Sequence, residues 1–269
     1  MHRTLFLAGV LASLVLAGCG GGGEKPETTE ATPPPSTPAE TPSAPAPSAG
    51  GGGPTGTASI AGTVKYEGEV PTLKPLSMDA DPNCAKKHSG PVPSEVLVLG
   101  DGQTLGNVYV RVKSGLPAGA SYPAPAQPAT LDQRGCHYVP HVLGVMVGQQ
   151  IKVLNSDGLL HNIHALPKVN SPFNMAMPAN RTEAEQTFTK EEVMIPVKCD
   201  VHPWMQGYIA VSPHPFFAVT AKEGTYEIKD LPAGTYELEF WHERLGTKSA
   251  TVTVGDGARA TSDMTFTRS

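Results

Sequence analysis

From Ser59 to the end of the chain, apolar and polar residues alternate with period two in short runs. Such alternation belongs to strands with one buried face. The runs are Ser59–Tyr66, Val96–Leu99, Asn107–Val112, Val142–Val147, Ile151–Asn155, His161–Ala165, Val193–Lys198, Tyr208–Val211, Phe216–Thr220, Thr225–Ile228, Thr235–Trp241, Ser249–Val254 and Asp263–Phe266. Gly or Pro interrupts nearly every gap between them, as turns require. Thr182–Glu192 carries a weak helical pattern, but its neighbours make it a loop. Met78–Pro93 follows no pattern. The pattern predicts an all-β chain arranged as two β-sandwiches.

Composition changes the picture at the N-terminus. Arg3 precedes an apolar run, Leu5–Leu16, which leads into L-A-G-C ending at Cys19. This is the layout of a secretory signal, and the run falls short of the ~20 apolar residues needed to span a bilayer. The tetrapeptide resembles the bacterial lipobox, which implies cleavage after residue 18 and a lipid on Cys19. The protein is then expected to be exported and anchored to a bacterial membrane, facing the periplasm or the exterior. Residues 19–57 form a tether: Gly20–Gly56 is almost wholly Gly, Pro, Ser, Thr, Ala and Glu, and such a segment buries too little to offset its ordering entropy. The formal net charge is -5 and no basic run occurs, which argues against nucleic acid as a partner.

Chemistry concentrates in C-D-V-H-P-W-M, Cys199–Met205, where a thiolate, an imidazole and a thioether recur at C-x2-H-x2-M spacing. Upstream, L-L-H-N-I-H-A (Leu159–Ala165) offers His161 as a second imidazole. Two His, one Cys and a weak axial Met form the trigonal ligand set of a blue-copper centre. The two stretches resemble the cupredoxin family, and the spacing is similar to that of its amicyanins. The resemblance covers about Leu131–Ser212. It implies a Greek-key β-sandwich holding one type 1 copper through His161, Cys199, His202 and Met205. It further implies that Asn162 pins the Cys loop, that Pro203 stiffens it, and that Trp204 stands where amicyanin-like loops carry Phe. Asp200 departs from the Ser or Thr that many relatives place after the Cys. A carboxylate close to the sulfur would lower the reduction potential. Zinc is the rival ion for a His2Cys set, but the soft thioether favours copper.

The C-terminal stretch Phe216–Trp241 has turn signals at Glu223-Gly224 and Pro232-Ala233-Gly234, at hairpin spacing. It resembles the later strands of the carboxypeptidase-regulatory-like, or transthyretin-like, β-sandwich. The earlier strands of that family match Gly62-Thr63-Val64 and Gly106–Val110, which precede the copper motifs. The expected organisation is therefore early strands in 58–116, a cupredoxin in 117–212 and late strands in 213–269, with the cupredoxin inserted into the second sandwich. Two consecutive domains, with Ser59–Leu116 pairing locally, are the alternative.

With Cys19 lipidated and Cys199 on copper, Cys84 and Cys136 remain, and a leftover pair in an oxidising compartment closes as a disulfide. A second metal site from Cys84, His88, His137 and His141 is the competing use of the same residues. By strand alternation His164 faces away from His161. Trp241-His242-Glu243 reads as a packed Trp followed by an exposed turn, or else as a contact near the copper edge. The functional expectation is a membrane-tethered one-electron carrier serving a redox protein such as a cytochrome or a dehydrogenase. Copper storage or delivery, or an interaction module with a structural metal, are the alternatives. No enzymatic activity is expected: the chain has no H-x-H pair for a trinuclear copper cluster, and neither G-x-S-x-G nor H-E-x-x-H.

Overall fold

The computed structural model describes residues 53–268, so Cys19, the signal and most of the tether lie outside the described residues. Two strands come first, β1 (Ala58–Glu67) and β2 (Tyr109–Ser114). A run of nine follows: β3 (Ala129–Gln133), β4 (Tyr138–Val139), β5 (Val142–Met146), β6 (Gln150–Asn155), β7 (His161–Ala165), β8 (Phe173–Met177), β9 (Glu183–Thr187), β10 (Glu192–Lys198) and β11 (Gln206–Ser212). Six close the chain: β12 (Phe217–Val219), β13 (Thr225–Leu231), β14 (Gly234–His242), β15 (Gly246–Val254), β16 (Arg259–Thr261) and β17 (Met264–Thr267). The one α-helix among the described residues is a single turn, α1 (Pro82–Ala85).

β3 to β11 make one sandwich, with sheets ordered β5-β11-β10-β7-β8 and β4-β3-β6-β9. The inward residues Leu131, Val153, Ile163, Ile195, Val197 and Ile209 fill the space between them, each side chain stabilising by about 1.5–3 kcal/mol. The other sandwich takes strands from both ends of the described chain. Its sheets run β13-β1-β16, with β17 also on β1, and β12-β2-β14-β15. Ile60, Val64, Val110, Tyr226, Ile228, Leu238, Phe240 and Phe266 form its core. Early and late strands thus share both of its sheets, and the nine-stranded run lies between them in sequence.

The two sandwiches meet through a smaller apolar cluster of Tyr109, Val142, Met146, Met194, Ala210 and Phe217. Contact there is close enough to demand glycine. A Cβ on Gly144 of β5 would come within 2.5 Å of the Phe217 ring. Arg111 of β2 spans the junction, pairing with Glu239 at 2.9 Å and with Glu191 at 2.6 Å.

Several strand boundaries differ from the sequence pattern. Val96–Leu99 contributes only an isolated bridge, Leu99 to Leu105, because the chain turns back at Gly100–Thr104 instead of extending along a sheet. Thr182–Glu192 is not a loop throughout, since it holds β9 and the start of β10. β8 and β9 are edge strands with mostly exposed or half-buried residues. Such strands lack the buried face that makes alternation visible.

Candidate metal centre

Strand β7 places His161, Ile163 and Ala165 inward and turns Asn162 and His164 to its other face, as period two requires. Cys199–Met205 is the hairpin loop between β10 and β11, where Lys198 pairs with Gln206. The Cys199 N–H donates to the Met205 carbonyl at 3.1 Å, and the Met205 N–H donates to the His202 carbonyl at 2.9 Å. These two bonds curl the loop so that its first, fourth and last residues all turn inward and are buried.

The loop meets β7 at one point. His161 Nδ1 lies 2.9 Å from His202 Nδ1, and Cys199 Sγ lies 3.7 Å from His202 Nδ1. One ligand atom each from His161, Cys199 and His202 falls within a 4.8 Å span. His161 is 0% exposed, His202 1% and Met205 0%. The outer ring nitrogens are engaged elsewhere: His161 Nε2 reaches Asp157 Oδ2 at 2.9 Å and His202 Nε2 reaches Asp81 Oδ2 at 3.2 Å. Only the Nδ1 atoms remain to face the sulfur. Two imidazole nitrogens, a thiol and a buried thioether are the donor set that suits copper, so these residues fit the ion the sequence suggests.

The electrostatics favour a charged sulfur. Burial raises the Cys199 pKa, but the hydrogen bond from His161 and N–H groups of Asn162, His202 and Val201 outweigh it and bring it below the usual thiol range. For His161 burial acts downward, while Asp157 and Cys199 hold the ring up to about 9.

Asn162 Oδ1 accepts the Asp200 N–H at 2.6 Å, which ties the Cys loop to β7. Trp204 packs on His202 with ring centroids 5.1 Å apart, and Pro203 is exposed at the loop surface. The Asp200 carboxylate turns to the outer face, where it meets His164 at 3.0 Å, Asn174 at 2.7 Å and Lys198 at 3.2 Å. His164 is thus a partner of Asp200 on the face opposite His161.

Cys84 and Cys136 form a disulfide, with Cα atoms 5.7 Å apart. That removes Cys84 from any second metal site. His137 and His141 instead share Glu95, at 3.0 and 3.6 Å, and His141 Nε2 lies 2.5 Å from Glu243. Trp241 meets Tyr208 edge to face with centroids 5.0 Å apart, and His242 is buried rather than exposed. The sequence reading missed Asp81 and Asp157 altogether. Asp157 could have been suspected from its position four residues before His161 in a Ser-Asp-Gly turn.

No protein-family profile matches the chain, and no curated sequence does. Among solved structures the chain is similar to cupredoxins. A purple cupredoxin from Nitrosopumilus maritimus is 24% identical, over 31% of this chain and 99% of that one, with a TM-score of 0.27. An oxidised amicyanin variant is 21% identical, over 38% and 98%, with a TM-score of 0.29. A copper-containing nitrite reductase from Thermus scotoductus SA-01 is 26% identical with a TM-score of 0.28; the match covers 36% of this chain but only 25% of that enzyme.

Proposed function

We propose that this protein holds one type 1 copper ion in the His161, Cys199, His202, Met205 pocket and passes single electrons between extracytoplasmic redox proteins. The observation that carries the reading is the convergence of both Nδ1 atoms on the Cys199 sulfur, with each outer nitrogen already occupied. Copper, when bound, would supply a one-electron couple. The chain's part is to present the same donors to both oxidation states. Two strands and a hydrogen-bonded hairpin loop hold them from both sides, which limits reorganisation. Burial of all four donors favours retention of the ion over its delivery to another protein. A lipid on Cys19 and the tether would keep the carrier at a membrane, within reach of a cytochrome or dehydrogenase.

The visible spectrum of the copper-loaded protein tests this. An intense charge-transfer band in the wild type, absent in Cys199→Ser, is the expected result. A colourless Cu(II) protein would overturn the reading. Rapid loss of copper to a chelator, without reversible reduction, would favour storage or delivery instead.

A further inference from the structure

Both imidazoles of the centre are backed by carboxylates, and those carboxylates are tied together through one cross-link. Asp157 sits in a cradle of two successive backbone N–H groups. Gly135 donates to its Oδ1 and Cys136 to its Oδ2, each at 2.8 Å. Both cradle residues have positive φ, 65° and 56°, a conformation that makes adjacent N–H groups converge on an anion. Cys136 tolerates it because the disulfide and the Asp157 carboxylate hold it from both sides. Lys87 adds an ion pair to Asp157 at 3.2 Å.

Asp81 is the N-cap of α1, accepting the Asn83 N–H at 2.9 Å. That turn contains Cys84, whose disulfide partner is Cys136, and Lys87 follows it. Met78 is buried against the inner core on the near side of the turn. Residues 78–88 are therefore fastened by an apolar anchor, a covalent bond and an ion pair. The segment carries one of the two carboxylates, and the other is cradled by the residues at the far end of the disulfide.

We propose that Asp81 and Asp157 are positioning residues of the metal centre: acting as a disulfide-linked pair, they hold the outer nitrogens of His202 and His161 so that both inner nitrogens face Cys199. This deepens the copper reading and rests on it. A histidine that ligates through one nitrogen is oriented by what its other N–H donates to, and a carboxylate there makes the ring a stronger donor. A more basic imidazole stabilises Cu(II) over Cu(I). The same carboxylates close the outer edge of both rings, so that His202 is only 1% exposed.

The test compares Asp81→Ala, Asp157→Ala and the milder Asp81→Asn and Asp157→Asn with a control, Asp79→Asn, whose carboxylate meets Ser77 rather than a ring. In the copper-loaded full chain, each Ala variant is expected to lower the preference for Cu(II) over Cu(I) by at least tenfold, which raises the potential by about 59 mV or more for one electron. The copper spectrum should shift with it. The Asn variants, which keep an acceptor oxygen, should fall between these and wild type, and Asp79→Asn should match wild type. A copper-free readout stands beside it. In nitrogen-15 spectra of the apo-protein, the Nε2–H form of His202 should dominate in wild type and lose that dominance in Asp81→Ala.

Unchanged potentials and spectra in folded, copper-loaded Ala variants would overturn the proposal. Should Asp157→Ala fail to fold, Asp81→Ala decides alone, because Asp81 lies on a surface turn. If the wild type showed no thiolate band while the apo-protein kept the His202 form only with Asp81 present, the copper reading would fall and the positioning would stand.

Discussion

Among the described residues two histidine pairs are backed by carboxylates, and only one of these pairs leaves donors to spare. At the candidate metal centre His161 and His202 each give one nitrogen to a carboxylate, Asp157 and Asp81, and keep the other for the space beside Cys199. At the junction His137 and His141 share Glu95, and His141 turns its second nitrogen to Glu243 on the far sandwich. In the first arrangement one nitrogen of each ring faces a sulfur. The second is closed on itself: an imidazole lies between two carboxylates, and it ties together the segment between β1 and β2, the sandwich of β3 to β11 and the β14–β15 turn of the other sandwich. Identical residue types thus give a candidate ligand set in one place and an ionic clasp in the other. What decides is whether a soft donor lies opposite and whether a nitrogen is left to face it.

Removing the sulfur separates the two histidine pairs most strongly. Cys199→Ser should abolish the copper charge-transfer band entirely, while His141→Ala should leave it in place, since His141 faces no sulfur. A band lost in His141→Ala with retained folding would show that the clasp belongs to the copper site.

Next in size is the clasp itself. His141→Ala leaves Glu95 and Glu243 facing a hole with no cation between them. Breaking a buried ion pair by removing one partner costs about 3–5 kcal/mol, to be read from denaturant unfolding of the copper-free protein. The pH dependence gives the sign. Burial pulls His141 down, but Glu243 and Glu95 outweigh it and raise it from 6.5 to about 9. A raised imidazole contributes stability that is fully present below 6.5 and is lost as pH rises through 9. Glu95 runs the other way: burial raises it, but His137 and His141 bring it from 4.5 down to about 2, so its contribution is lost as pH falls through that window. The wild type should be most stable between these limits, and its alkaline decline should be shallower in His141→Ala, with the remainder coming from His161, which is also held up to about 9. An unchanged alkaline slope in the variant would assign the loss to another group.

How much of this was legible beforehand follows from where the information sits along the chain. The loop Cys199–Met205 could be singled out because three donors of different chemistry fall within it, and hairpin closure buries all three. Strands with a buried face could be read from alternation, as in β1, β7, β13 and β14. Edge strands β8 and β9 could not, because neither face is wholly buried. Asp81 was beyond reach for a different reason, and Asp157 had only its place four residues before His161 to mark it. Each is a lone carboxylate in a turn, and its role depends on a cross-link spanning 52 residues. The fate of His137 and His141 likewise depends on Glu95 and Glu243, which lie 42 and 102 residues away from them.

That cross-link supplies the third prediction. Replacing Cys84 and Cys136 together by Ser opens the covalent loop, which on the chain-entropy account costs about 4 kcal/mol. Thiol titration of the unfolded, unreduced, copper-free chain beginning after Cys19 should find Cys199 alone, and three reactive thiols would refute the bridge. A smaller loss is expected at the junction of the sandwiches. Gly144→Ala forces a methyl to 2.5 Å from the Phe217 ring, and overpacking of this kind costs about 1–3 kcal/mol. The same unfolding measurement checks it, and a neutral result would mean the sandwiches part there without strain.

The smallest effect is expected at His164, which resembles a ligand most closely in sequence, three residues beyond His161. Its ring lies on the outer face of β7 and its Nδ1 meets Asp200 at 3.0 Å, with both side chains partly in water, 25% and 39% exposed. An exposed pair of this kind is worth about 0–1 kcal/mol. Asp200 also keeps Asn174, Asn162 and Lys198 when His164 is removed, and its N–H still donates to Asn162. The loop that carries Cys199 therefore stays fastened without the imidazole. His164→Ala should leave the copper spectrum within measurement error of wild type and move the unfolding midpoint little. His161→Ala, on the inward face of the same strand, should lose the wild-type band altogether. A reversal of that order would mean that β7 presents its other face to the sulfur, and the site as described would be wrong.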